Sequence, residues 1–274
     1  MATKKRLIIH VGLPKCGSTS LQAVFPQCNQ ITYWGKTVEK KFVTEDLCEF
    51  TRIIAHMSDV RLVGARRMKI HFAALLEKSS CDVVVLSDEV LSSVGLASGR
   101  SSLSLPQIIE NFNHVLPCMP EVVLVVREQR SFLKSYYRQH VRSGSPETYQ
   151  EFIELMLMDK YRFLRPLLNY AAVTNAIRPL VSKLHVLVFE KLFFDVAYCR
   201  EAFSNLGIDQ AAALLAETHM LPAKNDQEIL EYLRLRFPHI WAASDPWYRK
   251  TMFPTIHQTR LFTTSYSQTA TSYP

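Results

Sequence analysis

The sequence predicts an α/β fold with a mostly parallel central sheet flanked by helices. Three observations predict it. Four short apolar runs rich in β-branched residues read as buried strands: Leu7–Val11, Val83–Leu86, Val122–Val126 and Leu184–Phe189. Stretches with helical spacing lie between them. The first run also leads into a loop with two glycines and then into a further helix. Strands that alternate with helices argue for parallel pairing with both sheet faces covered.

The helices are legible one by one. Asp46–Met57 places Leu47, Phe50, Ile53, Ile54 and Met57 on one face. Pro106–Leu116 opens with a proline suited to a first turn and aligns Ile108, Ile109, Phe112 and Val115. Ser145-Pro146-Glu147 opens a longer helical stretch whose stripe continues through Phe152, Leu155, Met156 and Leu164. Asp226–Phe237 reads as another helix. Residues 1–262 read as one domain. Residues 263–274, mostly Thr, Ser, Tyr, Gln and Ala, lack an apolar period and read as a loosely held tail.

Composition narrows the class. Apolar residues are 48% of the 274, enough for a real core and too many for a disordered chain. The longest apolar runs are about six residues, against the roughly 20 a membrane span needs. Met1-Ala2-Thr3-Lys4-Lys5-Arg6 passes straight into a strand, without the apolar stretch and cleavage site of a secretory signal. The six cysteines form no C-x-x-C pair and read as reduced thiols rather than a disulfide framework or a zinc site. These features point to a cytoplasmic protein with no transmembrane segment. The formal net charge of +7 is scattered, apart from Lys4-Lys5-Arg6 and Arg66-Arg67 with Lys69, so an anionic small ligand explains it and no nucleic-acid partner is expected.

The most informative segment is His10-Val11-Gly12-Leu13-Pro14-Lys15-Cys16-Gly17-Ser18-Thr19-Ser20-Leu21-Gln22. It has the layout of a phosphate cradle, in which loop and helix-start amides converge where the helix dipole favours an anion. Gly12 and Gly17 let the backbone approach, Ser18 and Thr19 add hydroxyls, and Lys15 adds a mobile positive charge. The Walker A pattern is G-x-x-x-x-G-K-S/T. Gly12 and Gly17 keep its spacing, but Ser18 stands in the lysine position and the lysine has moved inside the loop. That argues against hydrolysis of ATP or GTP and suits a single 5′-phosphate with a group attached.

Pro14-Lys15-Cys16-Gly17-Ser18-Thr19-Ser20 resembles the 5′-phosphosulfate loop of sulfotransferases that use 3′-phosphoadenosine-5′-phosphosulfate (PAPS), which read as P-K-S/T-G-S/T-S/T. The departure is Cys16, here a small spacer. The strand Val122–Val126 ends at Arg127, and Ser135 follows eight residues later, with Tyr136 and Tyr137 behind it. In that family an arginine and a serine so placed hold the cofactor's 3′-phosphate. Leu187-Val188-Phe189-Glu190-Lys191-Leu192 resembles a further family strand end, with Glu190 read as structural. The resemblance spans Leu7 to Leu192. It implies a P-loop NTPase-like sulfotransferase fold, PAPS as sulfuryl donor with 3′-phosphoadenosine 5′-phosphate (PAP) as product, and no metal. The implied partner is a hydroxyl-bearing small molecule or glycan.

Sulfuryl transfer to an alcohol needs a base. Glu89, in Val85-Leu86-Ser87-Asp88-Glu89-Val90, follows a strand and emerges at the sheet's carboxyl edge, where open α/β folds bind ligands. The glycan-type enzymes carry a glutamate base in a comparable place. Asp88 and His140 are the alternatives. Lys15 is the group expected to stabilise the leaving nucleotide. A strand followed by Asp-Glu also resembles a Walker B element, so a P-loop kinase or other NTP enzyme is the alternative function. His10 reads as a satisfied structural histidine. Arg130 and Lys134 read as solvated, Arg249-Lys250 as a weak cofactor candidate, and Trp241 and Trp247 as packing or acceptor-pocket residues.

Overall fold

The computed structural model describes residues 5–37, 45–88, 91, 103–142, 144–158 and 168–219. The chain divides into two compact units, Met1–Leu221 and Pro222–Pro274, and every described residue belongs to the first. The expected helix Asp226–Phe237, the tail, Trp241, Trp247 and Arg249-Lys250 lie outside the described residues.

Among the described residues the sheet has five strands: β1 (Arg6–Gly12), β2 (Ile31–Tyr33), β3 (Val83–Ser87), β4 (Glu121–Val126) and β5 (Lys183–Val188). Their order is β2-β3-β1-β4-β5, and every pairing is parallel. In β1, Ile9 pairs with Leu86 on one side and Val122 on the other. Ile8 and Ile9 point to opposite faces, and both are buried. Both faces are therefore covered, which is what parallel sheets require. The helices that accompany the sheet are α1 (Ser18–Val24), α2 (Glu45–His56), α3 (Ala65–Lys78), α4 (Leu105–Val115), α5 (Gln129–Arg142), α6 (Tyr149–Leu157), α7 (Tyr170–Ile177), α8 (Phe189–Phe194), α9 (Val196–Leu206) and α10 (Asp209–His219). No described helix is long and apolar enough to cross a membrane.

Strand order positions the site. The chain leaves β1 towards β2 and β3, then crosses to β4 and β5 on the other side. The reversal opens a crevice at the carboxyl ends of β1 and β4, the place where such sheets bind ligands. The loop after β1 and the residue after β4 both face it.

Two expectations shift. β5 is not a fully buried strand: it is the sheet edge, Lys183 and Val186 are exposed, and Phe189 already belongs to α8. One face of β5, with His185 and Leu187, is buried and the other carries the exposed Val186, so burial alternates along the strand. Pairing with β4 ends at Val188, whose N–H goes to the Tyr198 hydroxyl at 3.1 Å. The helix expected from Ser145 starts at Tyr149. Thr148 and Glu151 form a capping box, with the Thr148 N–H donating to the Glu151 carboxylate at 2.7 Å and the Glu151 N–H to the Thr148 hydroxyl at 3.2 Å. That reciprocal cap outweighs the first-turn preference of Pro146. Leu164 lies outside the described residues.

The opposite end of the sheet is tied by charge. Arg6 donates to Glu121 at 2.6 and 2.8 Å and to the Leu206 carbonyl at 3.2 Å, and His185 lies 2.8 Å from Glu121. Burial alone would raise the Glu121 carboxyl, but the hydrogen bonds from His185 and Arg6 outweigh it and hold the group at about 2. A carboxyl depressed on folding contributes stability above its unfolded value, near 4.3, and loses it as pH falls towards 2. The urea midpoint should therefore fall more steeply between pH 5 and 2 in the native protein than in Glu121→Gln. At neutral pH that variant should be destabilised by about 2 kcal/mol. Parallel pH profiles would refute the assignment.

Candidate functional site

The loop after β1 is a tight, mostly buried turn. Cys16 N–H donates to the Leu13 carbonyl at 3.2 Å. Lys15 is left-handed, with φ 63°, and Gly17 with φ 80° caps α1. Gly17 has no side chain to cap the helix, and no acidic residue stands in the first turn. Leu13 and Cys16 are buried, Pro14, Lys15, Gly17 and Ser20 are half-buried, and Thr19 is exposed. Ser18 is buried, and its hydroxyl turns inward to the Leu13 carbonyl at 3.4 Å, a weak bond.

Steric contacts require both glycines. A β-carbon at Gly12 would collide with the Ser18 side chain and lie 3.4 Å from His10 Cε1. One at Gly17 would enter the Phe193 ring and lie 3.3 Å from Phe189. The loop is thus pressed between α1 and the aromatic face of α8. Burial raises the Cys16 thiol to about 12, so it stays protonated and fits the spacer reading.

Arg127, at the end of β4, reaches across the crevice to this loop. Its Nη1 donates to the Lys15 carbonyl at 2.8 Å, and its guanidinium carbon sits 4.4 Å from the centre of the Phe189 ring. Glu190 Oε1 is 3.9 Å from its Nε, which is buried and makes no hydrogen bond among the described residues. Its own carbonyl accepts from the Tyr170 hydroxyl at 2.7 Å. Burial pulls the guanidinium below its ordinary value, from a range so high that it remains charged. Glu190 also accepts from the Glu128 N–H at 3.1 and 3.3 Å, in keeping with a structural role.

The start of α5 is already capped. Glu128 accepts from the Arg130 N–H at 2.9 Å and the Ser131 N–H at 2.7 Å, and these backbone bonds hold its carboxyl below the usual range. Ser135 is half-buried in the second turn of α5, about 9 Å along the axis from Gln129. The structure therefore joins Arg127 to the loop directly and sets Ser135 further down the helix. Arg130 is exposed and Lys134 half-buried.

On the other side of β1, β3 ends in Ser87, and the buried Asp88 follows it. Glu89 lies outside the described residues. Ser87 pairs in register with His10, and its hydroxyl sits 2.8 Å from His10 Nδ1 and 3.5 Å from Gln22 Nε2. His10 is only half satisfied, since its Nε2 is buried with no hydrogen-bond partner among the described residues. Burial lowers it to about 4, so it is neutral at pH 7. His140 lies about 16 Å along α5 from Gln129. It is engaged there with Ser145 at 2.6 Å and Glu147 at 3.5 Å.

Lys36 escaped the sequence reading. Its N–H donates to the Ser87 carbonyl at 2.9 Å, and its carbonyl accepts from the Tyr33 hydroxyl at 2.5 Å, which fixes the backbone of a basic residue against the end of β3. Gly35 makes this possible, because a β-carbon there would strike the Ser87 backbone. The Gly-Lys pair just past the short strand β2 was the available signal. No group of three or more His, Cys, Asp or Glu among the described residues is placed to hold a metal.

No family model matches the sequence, and no curated protein matches it. Among solved structures, the chain is similar to a GTPase from Pyrococcus abyssi in its apo form. Identity is 14% over 83% of this chain and 96% of that chain, with a TM-score of 0.30. A likeness at that level carries no weight here, and the α/β assignment stands on the strand pairing above.

Proposed function

We propose that this chain is a PAPS-dependent sulfotransferase that moves a sulfuryl group to a hydroxyl of a carbohydrate or glycolipid precursor. One observation carries the reading: the loop Gly12–Gly17 and Arg127 meet at the same strand-end crevice, joined by the 2.8 Å bond from Arg127 to the Lys15 carbonyl. Two cations from separate elements, at the switch point of a parallel sheet, suit a ligand with two separate anionic groups. A helix start without an acidic residue and an arginine whose buried Nε makes no hydrogen bond among the described residues fit such a ligand. Six unpaired cysteines suit a reducing cytoplasm.

In this reading Pro14, Lys15, Cys16, Gly17, Ser18, Thr19 and Ser20 cradle the 5′-phosphosulfate. Arg127 and Ser135 take the 3′-phosphate. PAPS supplies an activated sulfuryl group as co-substrate, and PAP is released. The acceptor oxygen forms the new S–O bond as the bond from sulfur to the bridging phosphate oxygen breaks. Lys15 stabilises the charge that collects on that oxygen. Glu89 receives the hydroxyl proton; Asp88 and His140 are the alternative bases. Of these, Asp88 is buried just past the end of β3 and His140 is bonded elsewhere. No metal is required by this scheme.

A P-loop kinase or other NTP enzyme is the second reading. One observation favours it: Asp88 stands at the end of the strand next to β1, where a Walker B carboxylate would hold magnesium. The two readings part in an assay with a panel of sugar and lipid-linked hydroxyl acceptors. Acceptor-dependent release of PAP from PAPS, lost in Glu89→Gln, is the expected result. Magnesium-dependent formation of ADP from ATP on the same panel would overturn it.

A further inference from the structure

We propose that Arg127 is a latch on the phosphate loop as well as a phosphate ligand, so that one guanidinium couples the two anion sites. The ligand half rests on the reading above; the latch half rests on geometry alone. Lys15 is held left-handed, a backbone state that a non-glycine residue keeps only when its surroundings enforce it. The Arg127 Nη1 bond to the carbonyl of that same residue is a contact that holds it there. The guanidinium is fixed in turn by the Phe189 ring against its face and by the Glu190 carboxylate near its Nε. The same helix, α8, presses Phe193 and Phe189 onto Gly17. Loop, arginine and α8 thus form one braced unit.

An arginine has five donors in a rigid fork, and one of them on a carbonyl leaves others for a phosphate. A 3′-phosphate on that fork fixes the guanidinium where it also holds Lys15. The loop is then held in its nucleotide-binding shape. Coupling of this kind is reciprocal: a held loop presents a better-placed arginine. Arg127 is therefore a positioning residue for the 5′ site, and preference for a 3′-phosphorylated nucleotide arises partly through the loop.

The test compares PAP with AMP, which lacks the 3′-phosphate. A simple 3′-phosphate ligand predicts that Arg127→Ala loses affinity for PAP and keeps that for AMP. The latch predicts that AMP also weakens, by about tenfold, as expected for the loss of one charge-assisted hydrogen bond. Unchanged AMP affinity overturns the proposal. A ligand-free arm separates its failure from failure of the sulfotransferase reading. Hydrogen exchange at the Cys16 and Leu21 amides, which bond to the Leu13 and Gly17 carbonyls, should quicken about tenfold in Arg127→Ala, while exchange in α9 and α10 stays as in the native protein. Unaltered exchange at both amides, or equal quickening throughout, overturns the latch whichever nucleotide the native protein binds. Phe189→Leu, which keeps the arginine, should quicken the same two amides; no change there also counts against the brace.

Discussion

Lys15→Ala should lower sulfuryl-transfer turnover by about 10²–10³-fold, the loss typical of one preorganised transition-state donor. The effect should fall on kcat more than on PAP affinity, because the charge it meets grows only as the bond to the leaving oxygen breaks. The backbone argues the same way. Lys15 is the loop's left-handed non-glycine residue, a conformation with a real energetic cost, and its carbonyl is pinned by Arg127. A loop that needed only shape would be better served by glycine here. Near-native kcat in Lys15→Ala, measured as PAP release under saturating PAPS, would remove Lys15 from the chemistry.

Gly17→Ala should be the most damaging conservative change in the loop. A left-handed alanine costs about 1–2 kcal/mol, and forcing a β-carbon into a packed core costs about 1–3 more. Here that carbon would enter the Phe193 ring. The natural control is Gly144, which has φ 93° and open space around a β-carbon. Gly144→Ala should show the backbone cost alone. The difference in urea unfolding free energy between the two variants, about 1–3 kcal/mol, isolates the contact with α8. Gly17→Ala should also lose PAP binding, whereas Gly144→Ala should keep it. Equal stabilities would show that α8 does not brace the loop.

Much of this was legible in the sequence, and what was not has physical causes. β1, β3 and β4 are buried on both faces, so they read as continuous apolar runs. β2 has three residues, Ile31–Tyr33, too few for any period to show. β5 sits at the edge, where alternation of exposure replaces uniform burial. The loop itself was visible in the spacing of Gly12, Lys15 and Gly17, and Arg127 in its place at a strand end. Hidden were the contacts that join distant segments: Arg127 to Lys15 across 112 residues, and Ser87 to His10 across 77. Nothing local in a sequence encodes such pairs. The reason for Gly17 was also hidden. A phosphate loop offers backbone approach to a ligand as sufficient cause, yet Phe193, far along the chain, already forbids a side chain there. His10 reads from the sequence as satisfied, yet among the described residues only its Nδ1 has a partner.

Calorimetric titration of the purified protein with PAP, without metal, against ATP with magnesium, tests the central claim most directly. Micromolar or tighter PAP binding that needs no metal, with much weaker binding of ATP, is the predicted result. Tight, magnesium-dependent ATP binding with no response to PAP would contradict it, and Asp88 would then stand as the metal-holding carboxylate of an NTP enzyme.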